Sequence, residues 1–430
     1  MLDPKYVYEN IDYIRKVCTD KFVECDLDEF VRLYEAMKDN QKQLDALNTQ
    51  KKQAAEARDS ELGKQLKEQW SQREENARRL EGEFKVVAET VPNLYSPDTP
   101  FGSDDNENQV IKKRWEPKQF SFTPKDHTDL GLALNLLDFD TAGQVSGSRF
   151  VYIKNDLVLI QFALVNRVMQ TLSDQTVIDQ IIKNTWLKVS NKVFSPIIPP
   201  VIMKQEVMQK MGRYNPNDQT YDLKLDNMVL VASAEHSIWP MFMDSMLDAD
   251  LFPIRYLGYS SAFRREAGSY GKDTKGMIRQ HQFDKIEMET FTTPEQGMEE
   301  HLFMVAVQEY LLQQLELPYE VMICCTGDMW AVDYRHVDIN TWIPSQDKYR
   351  ETHSADYVTD YQARRLWTRF KDKSDAGRKW FVHMNDATAL ALGRTMVAIM
   401  ENYQQEDGSI IVPTVLRPYM GGKTSITKKS

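Results

Sequence analysis

Long apolar runs and cysteines are scarce in this 430-residue chain. No window holds the roughly 18 to 20 consecutive apolar residues that a membrane span needs. The opening stretch MLDPKYVYENIDYIRK has no apolar signal core, so a cytoplasmic protein is expected. Four cysteines (Cys18, Cys25, Cys324 and Cys325) are too few and too unevenly placed for a disulfide framework, and none sits at zinc-finger spacing. Excess positive charge is also missing. Lys and Arg number 53 against 64 Asp and Glu, a formal charge of −11, so the surface as a whole does not attract polyanions, although a local basic patch still can. What remains, 42% hydrophobic and 27% charged residues with ordinary Gly and Pro content, describes a globular protein of two or three domains.

After CDLDEF, the apolar positions Phe30, Leu33, Met37, Leu44, Leu47 and Ala54 keep a 3,4 spacing, with Asn40 and Lys51 filling the missing seam positions. This predicts one long helix. Leu66, Trp70, Ala77, Leu80, Phe84, Val87 and Val91, interrupted only by Arg73, predict a return helix, with the reversal near a cap-like Ser60 and Gly63. Thirty residues at 1.5 Å each make an antiparallel rod about 45 Å long. The heptads alone leave open whether it is a dimerisation coiled coil or a partner-binding arm. The acidic, Pro- and Asn-rich stretch 93 to 109 reads as a linker.

From about residue 110 the pattern turns to strands and helices in mixed order. SRFVYIKND and the stretches 228–235, 254–266, 278–291, 320–326 and 335–344 read as strands, and PIIPPVIM as an edge element. DLVLIQFALVNRVMQTL and DATALALGRTMVAIMENYQ read as helices. Strands that come mostly as neighbours point to an antiparallel sheet flanked by helices, an α+β class.

In a strand, side chains two apart share a face. Arg264 and Glu266 then point one way, and Arg279, His281, Phe283, Lys285 and Glu287 line one face of the next strand. A hairpin through the loop GSYGKDTKG combines them into a surface suited to a large, planar, polar anion. Solvated ladder pairs are the plainer explanation, but Phe283 among charges calls for something flat to stack on it.

These residues carry a resemblance. FRREAG, the basic loop and RQHQFDKIE together resemble the second motif of class II aminoacyl-tRNA synthetases, in the form used by seryl-tRNA synthetases. PIIPPVIM is similar to the first motif, with Pro200 as its proline, and GRTMVAIMENYQQEDGSIIVPTVLRPYM to the third. SAEH stands where the family has Thr-Ala-Glu, and YRETHS with DYQARR matches a further stretch. The resemblance covers nearly the whole chain. It implies an N-terminal domain over 1–109 containing a helical-hairpin arm (about 27–92), then a class II catalytic domain over 110–430, working as a homodimer through the first motif.

The implied reaction is attack of the L-serine carboxylate on the α-phosphate of ATP, followed by transfer of serine to the 3′ end of serine tRNA. Two anions must meet, so cationic groups and Mg²⁺ have to offset their repulsion. By motif position, Arg264 bridges the α-phosphate and the serine carboxylate, and Glu266 binds the adenine edge. Arg279 reaches the terminal phosphates, while Phe283 and Arg394 sandwich the ring. Arg264, Arg279 and Arg394 are the residues implied in catalysis. Glu351 and Ser354 match the Mg²⁺ ligands, although in isolation a Glu and a Ser three apart would read as a helix cap. Ser233 and Glu235 meet the serine ammonium, and Glu287 with Thr388 the hydroxyl. Three departures accompany these matches: Ser233 for the usual Thr, Asp386 in the serine pocket for the usual Asn, and Asn340 for a common Glu.

The arm is implied to reach the long variable arm of serine tRNA, reading shape and backbone; Lys51, Lys52, Arg58, Lys64, Lys67, Arg78 and Arg79 are its basic candidates. Two rivals remain, a catalytically silent RNA-binding paralogue and an amino-acid:carrier-protein ligase on the same catalytic fold. YMGGKTS resembles a phosphate loop, but Arg417 replaces its first glycine and too little chain follows for the required helix; it reads as a tail.

Overall fold

A computed structural model of the chain describes residues 1–215, 217, 219–267, 276–372 and 378–428. All of the basic loop GSYGKDTKG except Gly276 lies outside the described residues.

Two short helices, α1 (Pro4–Glu9) and α2 (Ile11–Asp20), precede the arm helices α3 (Leu27–Glu56) and α4 (Ser60–Ala88). Asp26 caps α3 by accepting from the Glu29 amide at 2.9 Å, and Asp59 caps α4 by accepting from the Leu62 amide at 3.0 Å. The reversal therefore falls at Ala57 to Asp59, with Arg58 left-handed at φ +58°. Ser60 is the first helical residue rather than the cap, and Gly63 lies inside α4. Phe30, Leu33, Leu44 and Ala54 are buried on α3, and Leu66, Leu80 and Phe84 on α4. The polar seam positions are paired too. Asn40 Nδ2 donates to the Arg73 carbonyl at 3.1 Å and Asn40 Oδ1 accepts from Asn76 at 3.0 Å, while the Lys51 ammonium lies 4.6 Å from the Trp70 ring centroid.

The root of the arm is part of a core. Phe30, Leu33, Leu80 and Phe84 pack with Val7, Ile14 and Tyr361. The stretch after the arm is docked rather than a free linker. Asn93 Nδ2 donates to the carbonyls of Val332 and Val358, both at 2.9 Å, and Asp98 pairs with Arg335 at 2.9 Å. A buried Lys21 ammonium donates to the carbonyls of Asn93, Ala331 and Asp333.

The remainder is built on an eight-stranded sheet. Its strands are β1 (Gln109–Arg114), β2 (Ser195–Ile197), β3 (Ile254–Phe263), β4 (Gln282–Thr292), β5 (Tyr319–Ile323), β6 (Arg335–Ile343), β7 (Lys348–Thr359) and β8 (His383–Ala391). The order is β1-β5-β6-β7-β8-β4-β3-β2, antiparallel throughout except for the β2–β3 edge pair. PIIPPVIM thus begins in an edge strand, as expected. Helices α5 (Asp156–Leu172), α6 (Gly297–Gln314) and α7 (Leu392–Asn402) pack on the back face, around Leu257, Ile286, Met288, Val337, Ile339, Ala387 and Ala389. Among the described residues no helix is long and apolar enough to cross a membrane.

Four segments differ from the sequence expectation. DATALALGRTMVAIMENYQ is strand up to Ala391 and helix only from Leu392; a central strand buried on both faces reads as an unbroken apolar run, which periodicity cannot separate from a helix. SRFVYIKND contributes only Tyr152–Ile153, and 228–235 only Met228–Leu230. The C-terminal segment is not a loose tail, because Ser425–Ile426 pairs with Ile410–Ile411 and Lys423 binds Asp156 at 2.7 Å.

Candidate active site

The register of β4 decides which side chains meet. Phe283 faces Ala262 of β3, Lys285 faces Ser260, and Glu287 faces Gly258 on one side and Thr388 of β8 on the other. Directly opposed residues share a face, so Phe283, Lys285, Glu287, Thr388 and, two residues along, Glu289 and Asp386 form the front of the sheet. The pairing continues past the strand ends. Arg264 donates its amide to the His281 carbonyl at 3.0 Å, and Arg279 Nη1 reaches Glu266 Oε2 at 3.1 Å. Arg264 and Glu266 are therefore on the expected face, although they lie beyond β3 and Glu266 is left-handed at φ +52°. The Arg264 guanidinium lies 5.3 Å from the Phe283 ring centroid and donates from Nε to the Ala232 carbonyl at 3.3 Å. Burial, and then the charge of Arg394, pull its pKa down.

Glu351 and Ser354 are three apart on β7, a spacing that puts side chains on opposite faces of a regular strand. Here the register slips, with Ile339 facing His353 and Asn340 facing Glu351, so Thr352 is the extra residue of a bulge. The bulge resets the alternation and turns both Glu351 and Ser354 to the front. The helix-cap alternative is excluded, since both sit in a strand. Arg394, in the first turn of α7, donates to Glu351 Oε1 at 2.7 Å and to the Glu351 carbonyl at 3.0 Å. Burial works against the Glu351 charge, but this guanidinium outweighs it and holds the carboxyl at about 2. Ser354 Oγ lies 3.4 Å from Thr388 Oγ1, and Gln308 from α6 ties the backbone carbonyls of both residues together.

A second bulge, at Ala389 between the Ile286–Leu390 and Glu287–Thr388 pairs, sets Thr388 opposite Glu287. Glu287 is fully buried; it accepts from Ser233 Oγ at 3.3 Å and contacts Lys285 Nζ. Glu235 is buried beside Arg213 at 3.4 Å and His236 at 3.1 Å. Burial disfavours its charge, but Arg213 and His236 reverse the balance and hold it below the ordinary range. Asp386 goes the other way. Burial and Glu235 push its carboxyl well up, and Glu289, opposite it across the ladder, is raised likewise by burial and by Asp386. The segment carrying Ser233 and Glu235 can approach only because Gly258 has no side chain; a Cβ there would come within 3.2 Å of Ala234 Cβ and 2.6 Å of Ile238 Cδ1. Asn340 donates to Met322 Sδ and faces Glu351 across the ladder.

All twelve residues singled out in the sequence are thus on or beside one face. Sequence reasoning missed Arg213, the nearest guanidinium to Glu235, and the role of Lys285 as the cation beside Glu287. The period-2 pattern already put Lys285 on this face, whereas nothing local marks Arg213. A cavity of about 310 Å³ adjoins the cleft, lined by Phe283 and Gly393 together with Phe150, Gln161 and Asp284. Neither Arg264 nor Glu351 lines it, so it is a neighbour of this face and not the cleft itself.

Comparison with known proteins agrees with this fold. Residues 1–95 match the family model of the seryl-tRNA synthetase N-terminal domain, and residues 214–403 that of the class II tRNA synthetase core domain (G, H, P, S and T). A serine–tRNA ligase of Symbiobacterium thermophilum is 36% identical, with 97% of this chain and 98% of the relative covered. One from Pelagibacter ubique is 36% identical, with 99% of each chain covered. Among solved structures, the seryl-tRNA synthetase of Pyrococcus horikoshii, complexed with ATP, superposes with a TM-score of 0.88 at 30% identity and covers 100% of both chains. The cytoplasmic enzyme of Naegleria fowleri, in complex with AMP, gives a TM-score of 0.85 at 27% identity, with 98% of this chain and 96% of that one covered. By sequence over its full length and by fold, the chain belongs to the seryl-tRNA synthetases, class II ligases that use ATP with Mg²⁺ to join serine to its tRNA.

Proposed function

We propose that the front face of the sheet is where this chain activates L-serine. One observation carries the reading: the register and its two bulges bring the cationic end, Arg264, Arg279 and Arg394, next to the polar corner formed by Ser233, Glu235, Glu287 and Thr388. In the first step a serine carboxylate oxygen attacks the α-phosphorus of ATP, the bond to the β-phosphate oxygen breaks, and pyrophosphate leaves with its electron pair. Arg264 holds the carboxylate and α-phosphate together and offsets their charge. Arg279 takes the terminal phosphates. Phe283 and Arg394 hold the adenine ring, and Glu266 reads its edge. Serine is bound through its ammonium by Glu235 and Ser233, and through its hydroxyl by Glu287 and Thr388, groups that are costly to leave unpaired by alanine. Asp386, donating to Glu235 as a neutral acid, keeps the two carboxyls at one negative charge between them.

Glu351 and Ser354 fit Mg²⁺: both are hard oxygen donors, turned to one face by a bulge, and Glu351 is held ionised. Bound there, Mg²⁺ supplies counter-charge to the phosphates. For the second step, the arm over about 27–92 engages the long variable arm of serine tRNA, and residues 110–430 carry the chemistry, with 1–109 as the tRNA-binding domain packed against them. The exposed Ile198 and Ile202 flanking Pro200 suit a homodimer contact on the β2 edge. The cytoplasm is the proposed setting. Serine-dependent exchange of pyrophosphate into ATP tests the reading. Exchange is expected with serine and at most weakly with alanine or threonine; equal rates with alanine, or none with serine, would refute it.

A further inference from the structure

Beside the serine corner, and separate from Glu351 and Ser354, one imidazole is surrounded by acids. His336 on β6 presents Nδ1 to two carboxylates, with Asp333 Oδ2 at 3.3 Å and Asp356 Oδ1 in direct contact, while its Nε2 lies 3.0 Å from Asp338 Oδ1. Asp333 is 0%, His336 7% and Asp356 8% exposed. One ligand atom from each of these three lies within 4.8 Å of the others. Close as they are, His336 Nδ1, Asp356 Oδ1 and Asp333 Oδ1 all lack a partner in hydrogen-bonding geometry. Asp333 Oδ2 is fixed by the Trp330 amide at 2.9 Å. The row of acids extends across the sheet, since Asp356 faces Asp386 and Asp386 faces Glu289. Arg213, Lys285 and His336 are the cations among them. Buried carboxylates need counter-charge, and this row has more acids than cations.

We propose that His336 Nδ1, Asp333 and Asp356 bind one divalent transition-metal cation of the zinc type. Metal binding releases the second ring proton of His336 to solvent, and the neutral imidazole with two carboxylates then contributes a charge of −2, which such an ion cancels. The other ring nitrogen then donates to Asp338, the arrangement in which a carboxylate orients a metal-bound histidine. Ligands at about 2.0–2.2 Å from zinc stand roughly 3.3–3.6 Å from one another; the His336–Asp333 contact at 3.3 Å already has that spacing, while the His336–Asp356 contact has to open to admit the ion. The ion ties β6, β7 and the turn at 330–333 together beneath the serine corner, and its role is to hold that corner in place. The opposite side of the ring, where Cys324 and Asp338 also approach His336, is the competing position, but it lacks the paired carboxylates.

The test uses the full-length chain, stripped with a chelator, dialysed against Zn²⁺ and analysed for bound metal. One zinc per chain is expected. His336→Gln should lose it and Asp338→Asn should weaken it by about 10- to 100-fold, whereas Glu351→Gln should retain it. No stoichiometric zinc in the unsubstituted chain, retention by His336→Gln, or loss in Glu351→Gln would overturn the proposal. Should His336→Gln fail to fold, X-ray absorption on the zinc-loaded unsubstituted chain decides: one imidazole with an oxygen shell supports the site, and a sulfur ligand moves the ion to Cys324 and overturns it.

Discussion

Replacing Arg264 with alanine separates a residue held for chemistry from one held for structure. The folded protein would lose the contact of the guanidinium with Phe283, worth about 0.5–1 kcal/mol at a partly exposed site. It would also lose the long hydrogen bond to the Ala232 carbonyl, worth about 0.5–1 kcal/mol. Against this it would regain the desolvation cost of the charge and shed the repulsion from Arg394, terms of the same order and opposite sign. The net change in stability is therefore within about 1 kcal/mol. Loss of a preorganised charge at the transferring phosphorus costs the transition state about 3–4 kcal/mol, or about 10²–10³ in rate. Pyrophosphate exchange should collapse while the thermal midpoint barely moves. Arg264→Lys should restore the charge without the planar fork and recover only part of the rate. If Arg264→Ala lost activity in proportion to lost folded protein, or if lysine restored the full rate, Arg264 would be a structural cation and the reading would fail.

Three more outcomes follow from the same geometry. Replacing Gln41–Glu75 with a short turn should leave exchange within about twofold and abolish tRNA charging, because the root residues Phe30, Leu33, Leu80 and Phe84 stay in their core; lost exchange would show the arm to be needed for the first step. Asp386→Asn should raise the thermal midpoint more at pH 8.5 than at pH 5. A buried acid whose pKa is raised binds more protons folded than unfolded, so its presence lowers stability as pH climbs past the ordinary carboxylate range; an equal gain at both pH values would refute the shared-proton picture of Asp386, Glu235 and Glu289. Gly258→Val should push back the segment bearing Ser233 and Glu235 at an overpacking cost of about 1–3 kcal/mol. That should raise KM for serine about tenfold and spare KM for ATP, and steady-state exchange with each substrate varied in turn would show it.

The arm was legible because both of its helices keep their stripe for some thirty residues, and even the polar interruptions had meaning: Asn40 and Lys51 find partners at Asn76 and Trp70. The hairpin face was legible because a period of two is local information, and β3 and β4 pair as that period requires. What could not be read was anything set by a slip in register. Glu351 and Ser354 looked like a cap because their spacing suits no regular strand, and only the bulge at Thr352 explains it. The 93–109 stretch looked like a linker because its composition is polar, yet Asn93 uses that polarity to satisfy carbonyls of two distant segments. Composition reports what a segment can hydrogen-bond with, and not where the partner sits.

The two faces of the sheet divide the work of folding and function. Behind it, helices α5, α6 and α7 bury an apolar layer that supplies the cohesion of the domain. In front, the chain keeps charges that apolar packing would have served better for stability: Arg264 is close enough to Arg394 to be destabilised by it, and Glu289 and Asp386 are held as acids that resist ionising. On the function proposed above, groups the substrates bring offset the arginine and Glu235 charges: phosphates supply the negative charge that the arginines lack, and the serine ammonium a cation next to Glu235. The front face is electrostatically incomplete until it is occupied, and ligands that complete it stabilise the fold by mass action as they bind. The departure at Asp386 fits that logic, since a carboxyl can take the place of an amide here only as long as a neighbouring carboxylate obliges it to keep its proton.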